Sequence, residues 1–148
     1  MTRFKLLEAS QIELATQLMQ EFYAIDHYPM DPDVTKTLFE AFINNEQLGR
    51  IWLIYSNEEV VGYVMLNFLF SFEFQGRIAF MDELYLKESA RGKGLGQQAV
   101  HFIKEQAKLL GVKLIYLEVE NHNEKAQKLY LANDFVTHHR KLLKHKLD

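Results

Sequence analysis

The sequence predicts one mixed α/β (α+β) domain over residues 1–148, with a twisted central sheet of six to seven strands flanked by about four helices. β-Branched and aromatic runs at residues 51–55 and 60–70 have the composition of a hairpin. Residues 78–119 alternate strand, helix and strand, which predicts two parallel strands joined by a right-handed crossover. Apolar residues at helical spacing in the first 42 residues predict two helices that cover the sheet.

The composition limits the classes of protein to which the chain can belong. Its 148 residues are 48% hydrophobic, which is ample for one buried core and too few residues for two domains. The absence of cysteine excludes disulfides, thiolate metal sites and a cysteine nucleophile. A net charge of −3 argues against a general nucleic-acid binder. Charges interrupt every apolar run before membrane-spanning length, so we expect a soluble, cytoplasmic protein with no membrane partner.

The first half of the chain begins with a short strand at residues 4–7. Ser10 and Glu13 have the spacing of a capping box, so we expect a helix to begin at Ser10. Asp31 is suited to cap a second helix whose first position is Pro32. The apolar residues of this second helix share one face: Val34, Leu38, Ala41 and Phe42.

Every second residue from Phe68 to Phe74 is phenylalanine, which places four rings on one face of an extended segment. Packing in the core is the favoured interpretation of this stripe, and the lining of an apolar substrate pocket is the alternative. Gln75 and Gly76 then turn the chain into a strand at residues 77–86.

The second half contains a helix from Leu95 to Gly111, a strand at residues 114–119 and a last helix capped by Asn123. Residues 135–137 and 141–147 are predicted to close the chain as a strand pair. Lysines in that final segment would protect an exposed sheet edge. Its histidines have no acidic partner at metal-ligand spacing, so we predict no metal site.

A basic, glycine-rich loop, Arg91-Gly-Lys-Gly-Leu-Gly96, joins the strand at residues 77–86 to the helix that begins at Leu95. Its glycines permit tight turns and a close approach of the backbone to an anion. The helix adds unpaired N–H donors and the positive end of its dipole. Arg91 and Lys93 supply counter-charge, so the loop predicts a phosphate site.

Two nucleotide-binding templates fit this loop poorly. A Walker-type loop requires serine or threonine after its lysine, whereas Gly94 follows Lys93 here. A dinucleotide fingerprint fits residues 94–99 better, with Glu118 or Glu120 at the distance of a ribose contact. About half of the chain precedes that motif, however, and no room remains for a second mononucleotide half.

The loop resembles the acyl-CoA loop of the GCN5-related N-acetyltransferase (GNAT) family, whose pattern is (Arg/Gln)-x-x-Gly-x-(Gly/Ala). The order of predicted strands and helices agrees with that family over nearly the whole chain. Residues 118–135 are similar to its second signature, in which Asn123 and Tyr130 match and Asp134 replaces the usual glycine before phenylalanine. Because aspartate tolerates a left-handed backbone, we expect the turn at Asp134 to be preserved.

The resemblance implies a sheet whose two central strands splay apart after a bulge in the loop-bearing strand. It also implies that acetyl-CoA or CoA binds as co-substrate, with the pyrophosphate on the loop and the pantetheine arm along the exposed strand. The residues that it assigns to this binding are Leu84, Tyr85, Leu86, Arg91, Gly92, Lys93, Gly94, Leu95, Gly96, Gln97, Asn123 and Tyr130.

The resemblance further implies direct transfer of the acetyl group to an amine in a ternary complex. Tyr130 matches the tyrosine near the thioester sulfur and is the candidate general acid, with aromatic packing as its alternative role. Related enzymes often use a carboxylate on the loop-bearing strand as the base. Asp82 and Glu83 lie on opposite faces of a regular strand, and Glu83 is slightly favoured. The alternative is a surface ion pair of either carboxylate with Arg77 or Lys87.

The expected acceptor is the primary amine of a small, cationic molecule, or the lysine or N-terminal amine of a peptide. Carboxylates beside aromatic rings favour a cation, and the candidate residues are Tyr23, His27, Tyr28, Phe72 and Glu73. A homodimer is common in the resembling family. Two other classes remain open: a non-catalytic CoA-binding or regulatory module, and a nicotinamide-dinucleotide-binding protein.

Overall fold

The computed structural model describes all of residues 1–148. The chain divides into two compact units, Met1–Glu118 and Val119–Asp148. The first unit contains the whole sheet and three α-helices, and the second contains one α-helix. No helix combines the length and apolar character needed to cross a bilayer.

A five-stranded sheet forms the centre of the first unit, and its strands follow one another in chain order. They are β1 (Thr2–Leu6), β2 (Gly49–Ser56), β3 (Glu59–Ser71), β4 (Gly76–Leu86) and β5 (Ile115–Tyr116). The first four strands pair antiparallel, whereas β4 and β5 pair in parallel. This parallel pair confirms the predicted strand–helix–strand unit.

The α-helices are α1 (Ile12–Ile25), α2 (Pro32–Ile43), α3 (Leu95–Leu109) and α4 (Glu124–Ala132). The predicted cap of α2 is confirmed: the Asp31 carboxylate accepts hydrogen bonds from the main-chain N–H groups of Asp33 and Val34. The predicted start of α1 is wrong. A 3₁₀ turn precedes α1, and Glu8 with Gln11 forms the capping box in place of Ser10 and Glu13.

Helices pack on both faces of the sheet because successive residues of β2 point to opposite sides. Leu53 is fully buried in a cluster that includes Leu18 of α1. Trp52 points the other way and packs edge-on against Phe102 of α3, with ring centroids 5.3 Å apart. The α1 and α2 side of the sheet carries the candidate site.

The sheet has fewer strands than predicted because the C-terminal pair is absent. Residues 133–148 contain neither helix nor strand, and the strand predicted at residues 114–119 is limited to Ile115–Tyr116. Leu142 and Leu143 belong to the segment predicted to be the last strand. Both side chains are exposed.

The phenylalanine stripe is not part of the core, so the favoured interpretation of it is wrong. β3 ends at Ser71, and Phe72 lies in the turn before β4 with 90% of its surface exposed. Phe70 is also exposed and packs edge-on against Phe72. Alternation identifies one face of a strand, but it does not reveal whether another element covers that face.

A bulge in β4 lies where the resemblance implies it. Met65 of β3 pairs with Glu83, and the next residue of β3, Leu66, pairs with Met81. Asp82 is therefore the extra residue of a β-bulge. Because of it, Met81 is buried, Asp82 is exposed and Glu83 points towards α1.

The splay of the two central strands is also confirmed. β4 pairs with β5 only at Ala79 and Phe80. From residue 81 to residue 86, β4 has no strand partner on its β5 side. The main chain on this side of β4 is therefore available to another extended group.

Candidate active site

A cavity of about 600 Å³ lies between α1, α2 and the sheet. The apolar stripe of α2 forms one of its walls, including Val34, Leu38 and Phe42. This explains why Val34 and Leu38 are 55% and 61% exposed although they belong to the apolar face of the helix. The apolar stripe predicted for α2 therefore lines the cavity more than it packs in the core.

The cavity has few polar lining residues. Glu83, Asn67, Thr35 and Asp31 line it, and Tyr23 contributes its ring and hydroxyl group. No lysine, arginine or histidine is among the lining residues. The cavity therefore combines apolar walls with carboxylates, and the charge it presents is negative.

Glu83 is held by two short hydrogen bonds. The Tyr23 hydroxyl donates to Oε2 and the Tyr63 hydroxyl donates to Oε1, each over 2.6 Å. Tyr23 belongs to α1 and Tyr63 to β3, so the carboxylate of β4 connects three elements. With both oxygens fixed, Glu83 has a single orientation at the cavity wall.

Two opposing effects set the proton affinity of Glu83. Burial raises the pKa of the Glu83 carboxyl, whereas the hydrogen bonds from Tyr23 and Tyr63 lower it by stabilising the ionised form. Burial has the larger effect, so the pKa lies above its usual range. The pKa values of Tyr23 and Tyr63 are raised by burial and by Glu83, so both remain hydrogen-bond donors at neutral pH. Glu83 has the properties of a general base.

The main chain of β4 beyond Glu83 alternates between β3 and the open side. A Cβ atom on Gly62 of β3 would lie 2.0 Å from the Tyr85 carbonyl oxygen, so Tyr85 directs its main chain towards β3. Leu84 and Leu86 consequently direct theirs towards the open side. The Leu86 carbonyl accepts a 2.9 Å hydrogen bond from Arg91 Nε. Of the three residues expected to bind a pantetheine arm, Leu84 and Leu86 have the required main-chain orientation.

The glycine-rich loop has the geometry of an anion site. Gly92 and Gly94 adopt left-handed φ angles of 75° and 81°, and Gly94 is the N-cap of α3. The first hydrogen bond inside the helix runs from Gln98 N–H to the Gly94 carbonyl. The preceding N–H groups have no helical acceptor: Leu95, Gly96 and Gln97. No acidic residue lies in the first turn, and Lys93 is exposed beside it.

The second unit contains the remaining candidate residues. Asn123 caps α4, as predicted, with its Oδ1 accepting a hydrogen bond from Ala126 N–H at 3.1 Å. Tyr130 packs edge-on against Phe135, and burial raises the pKa of its hydroxyl to about 12. Asp134 has a left-handed φ of 73°, so the turn expected there is preserved.

Only one of the five candidate acceptor residues, Tyr23, lines the cavity. His27 and Tyr28 are exposed after α1, where the Tyr28 ring packs edge-on against Tyr23. Phe72 and Glu73 are exposed in the turn between β3 and β4. The structure therefore does not bring these residues together around the cavity.

Sequence reasoning missed Tyr63 and Asn67. Tyr63 occurs in an apolar run, and nothing local indicates that its hydroxyl reaches a carboxylate 20 residues later. The sequence contains a weak indication that Asn67 belongs to a site, because a polar amide in a buried strand is uncommon. Its Oδ1 is buried without a hydrogen-bond partner.

A model of the acetyltransferase (GNAT) family matches residues 13–135 of this chain. The chain belongs to the GNAT acetyltransferase family. A relative in this family, the D-amino-acid N-acetyltransferase HPA3 of Saccharomyces cerevisiae, is 30% identical over 138 residues. The match covers 90% of this GNAT chain and 84% of the yeast protein. The protein is therefore an N-acetyltransferase, and the bulge, splay and glycine-rich loop are features of an enzyme fold.

Solved structures share the fold of this GNAT protein. An integron cassette protein from the mobile metagenome of Cole Harbour Salt Marsh is 31% identical with a TM-score of 0.88, covering 98% of this chain and 90% of that one. A predicted acetyltransferase from Clostridium acetobutylicum, solved with acetyl-CoA, is 16% identical with a TM-score of 0.80, covering 98% of this chain and 96% of that one. At 16% identity, the similarity to the Clostridium acetobutylicum structure shows only that the two proteins share a fold.

Replacing Tyr63 with phenylalanine removes one of the two hydrogen bonds to Glu83 and keeps the buried ring. Since that bond stabilises the ionised carboxylate, we expect the pKa of Glu83 to rise further. NMR titration of the Glu83 carboxyl carbon measures it directly. If Glu83 is the base, the acid limb of the kcat/KM profile moves to higher pH as well.

Tyr55→Phe is the matched control for Tyr63→Phe, because the Tyr55 hydroxyl interacts with Gln11 at 2.8 Å and not with Glu83. Tyr55→Phe should leave the pKa of Glu83 at its wild-type value. An unchanged or lowered pKa of Glu83 in Tyr63→Phe would show that the hydrogen bond does not control this group.

Proposed function

We propose that this protein transfers the acetyl group of acetyl-CoA to a primary amine that binds in the cavity beside Glu83. The observation that carries this proposal is the Glu83 carboxylate, which lines the cavity with a raised pKa and a fixed orientation. An amine is protonated at neutral pH and must lose a proton before it can attack a thioester. Glu83 would accept that proton directly or through one water molecule.

Asp82 is the weaker candidate for the base. Its side chain is exposed and is absent from the cavity lining. The bulge is the reason, since it turns Asp82 outwards and Glu83 inwards. The slight preference that the sequence gives to Glu83 thus gains geometric support.

The residues of the first unit fit the CoA part of the co-substrate. The unpaired N–H groups at the start of α3 and the charge of Lys93 suit a pyrophosphate. The main chain of Leu84 and Leu86 suits the amides of a pantetheine arm. Bound acetyl-CoA supplies the thioester carbonyl, and an N–H group of β4 on the open side would polarise it. Membership of the GNAT acetyltransferase family supports this choice of ligand.

In the second unit, we assign Tyr130 as the acid that protonates the departing thiolate. Its pKa of about 12 means that the hydroxyl carries its proton at neutral pH. Asn123 uses Oδ1 to cap α4, so its amide nitrogen is the group that would contact the pantetheine arm. Support for both assignments comes from their match to the family signature.

Replacing Glu83 with glutamine removes the proposed base while keeping the side-chain volume. We expect kcat/KM for amine acetylation to fall by roughly 10²–10³-fold, the range typical of a lost general base. Asp82→Asn is the matched control and should retain nearly wild-type activity. Thiol release from acetyl-CoA measures the rate, and calorimetry checks that Glu83→Gln still binds CoA.

Equal losses in the two variants, or full activity of Glu83→Gln, would contradict the role of Glu83. Wild-type protein that binds CoA but releases no thiol with any amine would instead be the non-catalytic module.

Replacing Gln97 with glutamate puts a negative charge into the first turn of α3. The change favours the helix by roughly 0.3–1 kcal/mol through its dipole, so the melting temperature should not fall. Binding of CoA should weaken about tenfold, equal to about 1.4 kcal/mol, because the pyrophosphate meets a like charge. Isothermal titration calorimetry measures this affinity.

The matched control is Gln106→Glu, which lies near the other end of α3. It should leave the CoA affinity unaltered. CoA binding that is the same in Gln97→Glu as in the wild type would place the pyrophosphate away from the loop.

A further inference from the structure

The cavity beside Glu83 lacks a cation that could pair with a carboxylate of the acceptor. Two arginines lie against the ring of Phe68, which lines the cavity, at 5.5 Å from the ring centroid for Arg50 and 4.2 Å for Arg77. The Arg50 guanidinium donates to the main-chain oxygens of Glu46 and Gly49, and neither arginine lines the cavity.

A free amino acid would therefore be a poor fit. Its amine must reach Glu83, so its α-carboxylate would be brought close to a carboxylate without a compensating positive group. Burial of an unpaired charge is strongly unfavourable. The cavity selects against this class of amine through its own charge.

The cavity walls favour an acceptor amine with an apolar group over one that carries several further ammonium groups. Met19, Met30, Val34, Leu38, Phe42 and Met65 present hydrocarbon, thioether and aromatic surface. Besides Glu83, the lining contains one carboxylate, Asp31, which also caps α2, so a polyamine would have at most one further ion-pair partner for its remaining ammonium groups. An aromatic ring would instead bury apolar area and contact thioethers and rings.

Asn67 adds a polar contact at a separate point of the cavity. It lies two residues along β3 from Met65, the residue paired with Glu83, which corresponds to roughly 7 Å along the strand. The two side chains at positions 65 and 67 point to the same face. Asn67 lines the cavity and its Oδ1 is buried without a hydrogen-bond partner, so a rotation of the amide that turns Oδ1 towards the cavity would gain it a partner from a ligand.

We propose that the acceptor is an aralkylamine that carries no carboxylate and has a hydroxyl group at the far end of its ring. The amine lies at Glu83, the ring lies against α2, and the hydroxyl bonds to Asn67. This assignment rests on the proposed function and names the acceptor class for that site. It differs from the D-amino acids in the name of the yeast relative.

A panel of acceptors tests the proposal with the wild-type enzyme. Thiol release from acetyl-CoA is followed with tyramine, D- and L-tyrosine, tyrosinamide and spermidine. We expect kcat/KM for tyramine to exceed that for either tyrosine or for spermidine by about tenfold or more. Tyrosinamide, which keeps the bulk of the α-substituent without its charge, should exceed tyrosine.

The outcomes separate the two proposals. A preference for tyrosine or spermidine would overturn the assignment of the acceptor and leave the acetyltransferase function intact. No release with any of these amines, despite bound acetyl-CoA, would overturn both.

Two variants test the residues that carry the assignment. Val34→Arg adds a cation at an exposed position of the wall, so the kcat/KM ratio of tyrosine to tyramine should rise about tenfold. Val34→Gln adds similar length without charge and should not change that ratio. Asn67→Leu should abolish the advantage of tyramine over 2-phenylethylamine, with a melting temperature at least equal to that of the wild type.

If Val34→Arg left the kcat/KM ratio of tyrosine to tyramine unchanged, the charge of the cavity would not be what selects against a carboxylate. An advantage of tyramine that persists in a folded Asn67→Leu protein would remove Asn67 from the site.

Discussion

The hydrogen-bonded group of Tyr23, Glu83 and Tyr63 is the interaction on which the rest of the site depends. It joins α1, β3 and β4 through one carboxylate, and both of its bonds are 2.6 Å long. A buried carboxylate is tolerated only when its oxygens have partners, and these two hydroxyls provide them. The same contacts that offset the cost of burial also orient the carboxylate towards the cavity.

Two backbone features place this group where chemistry can occur. The bulge at Asp82 turns Glu83 to the helical side of the sheet, and the early end of the β4–β5 pairing exposes the main chain of Leu84 and Leu86. Both features lie in β4, the strand that precedes the loop at Gly92–Gln97. The proposed base, the open strand and the proposed anion-binding start of α3 thus follow one another within residues 83–97.

Local signals predicted those parts of the fold that depend on local chemistry. The Asp31 cap, the left-handed glycines of the loop and the turn at Asp134 all follow from residue type and spacing. Contacts between distant segments could not be predicted in this way. Nothing in the sequence indicates that Tyr23 meets a residue 60 positions later, or that no element covers Phe70. Which of Asp82 and Glu83 points towards the helices depends on the bulge, which the family resemblance implied and simple alternation did not.

A crystal structure of the ternary complex with CoA and tyramine would test most directly whether Glu83 receives the proton of the acceptor. We expect the amine nitrogen in the cavity, about 2.6–3.2 Å from a Glu83 oxygen or joined to it by one water molecule. Tyr23 and Tyr63 should keep their hydrogen bonds to the carboxylate. An amine nitrogen bound outside the cavity, with no water path to Glu83, would show that Glu83 is not the base.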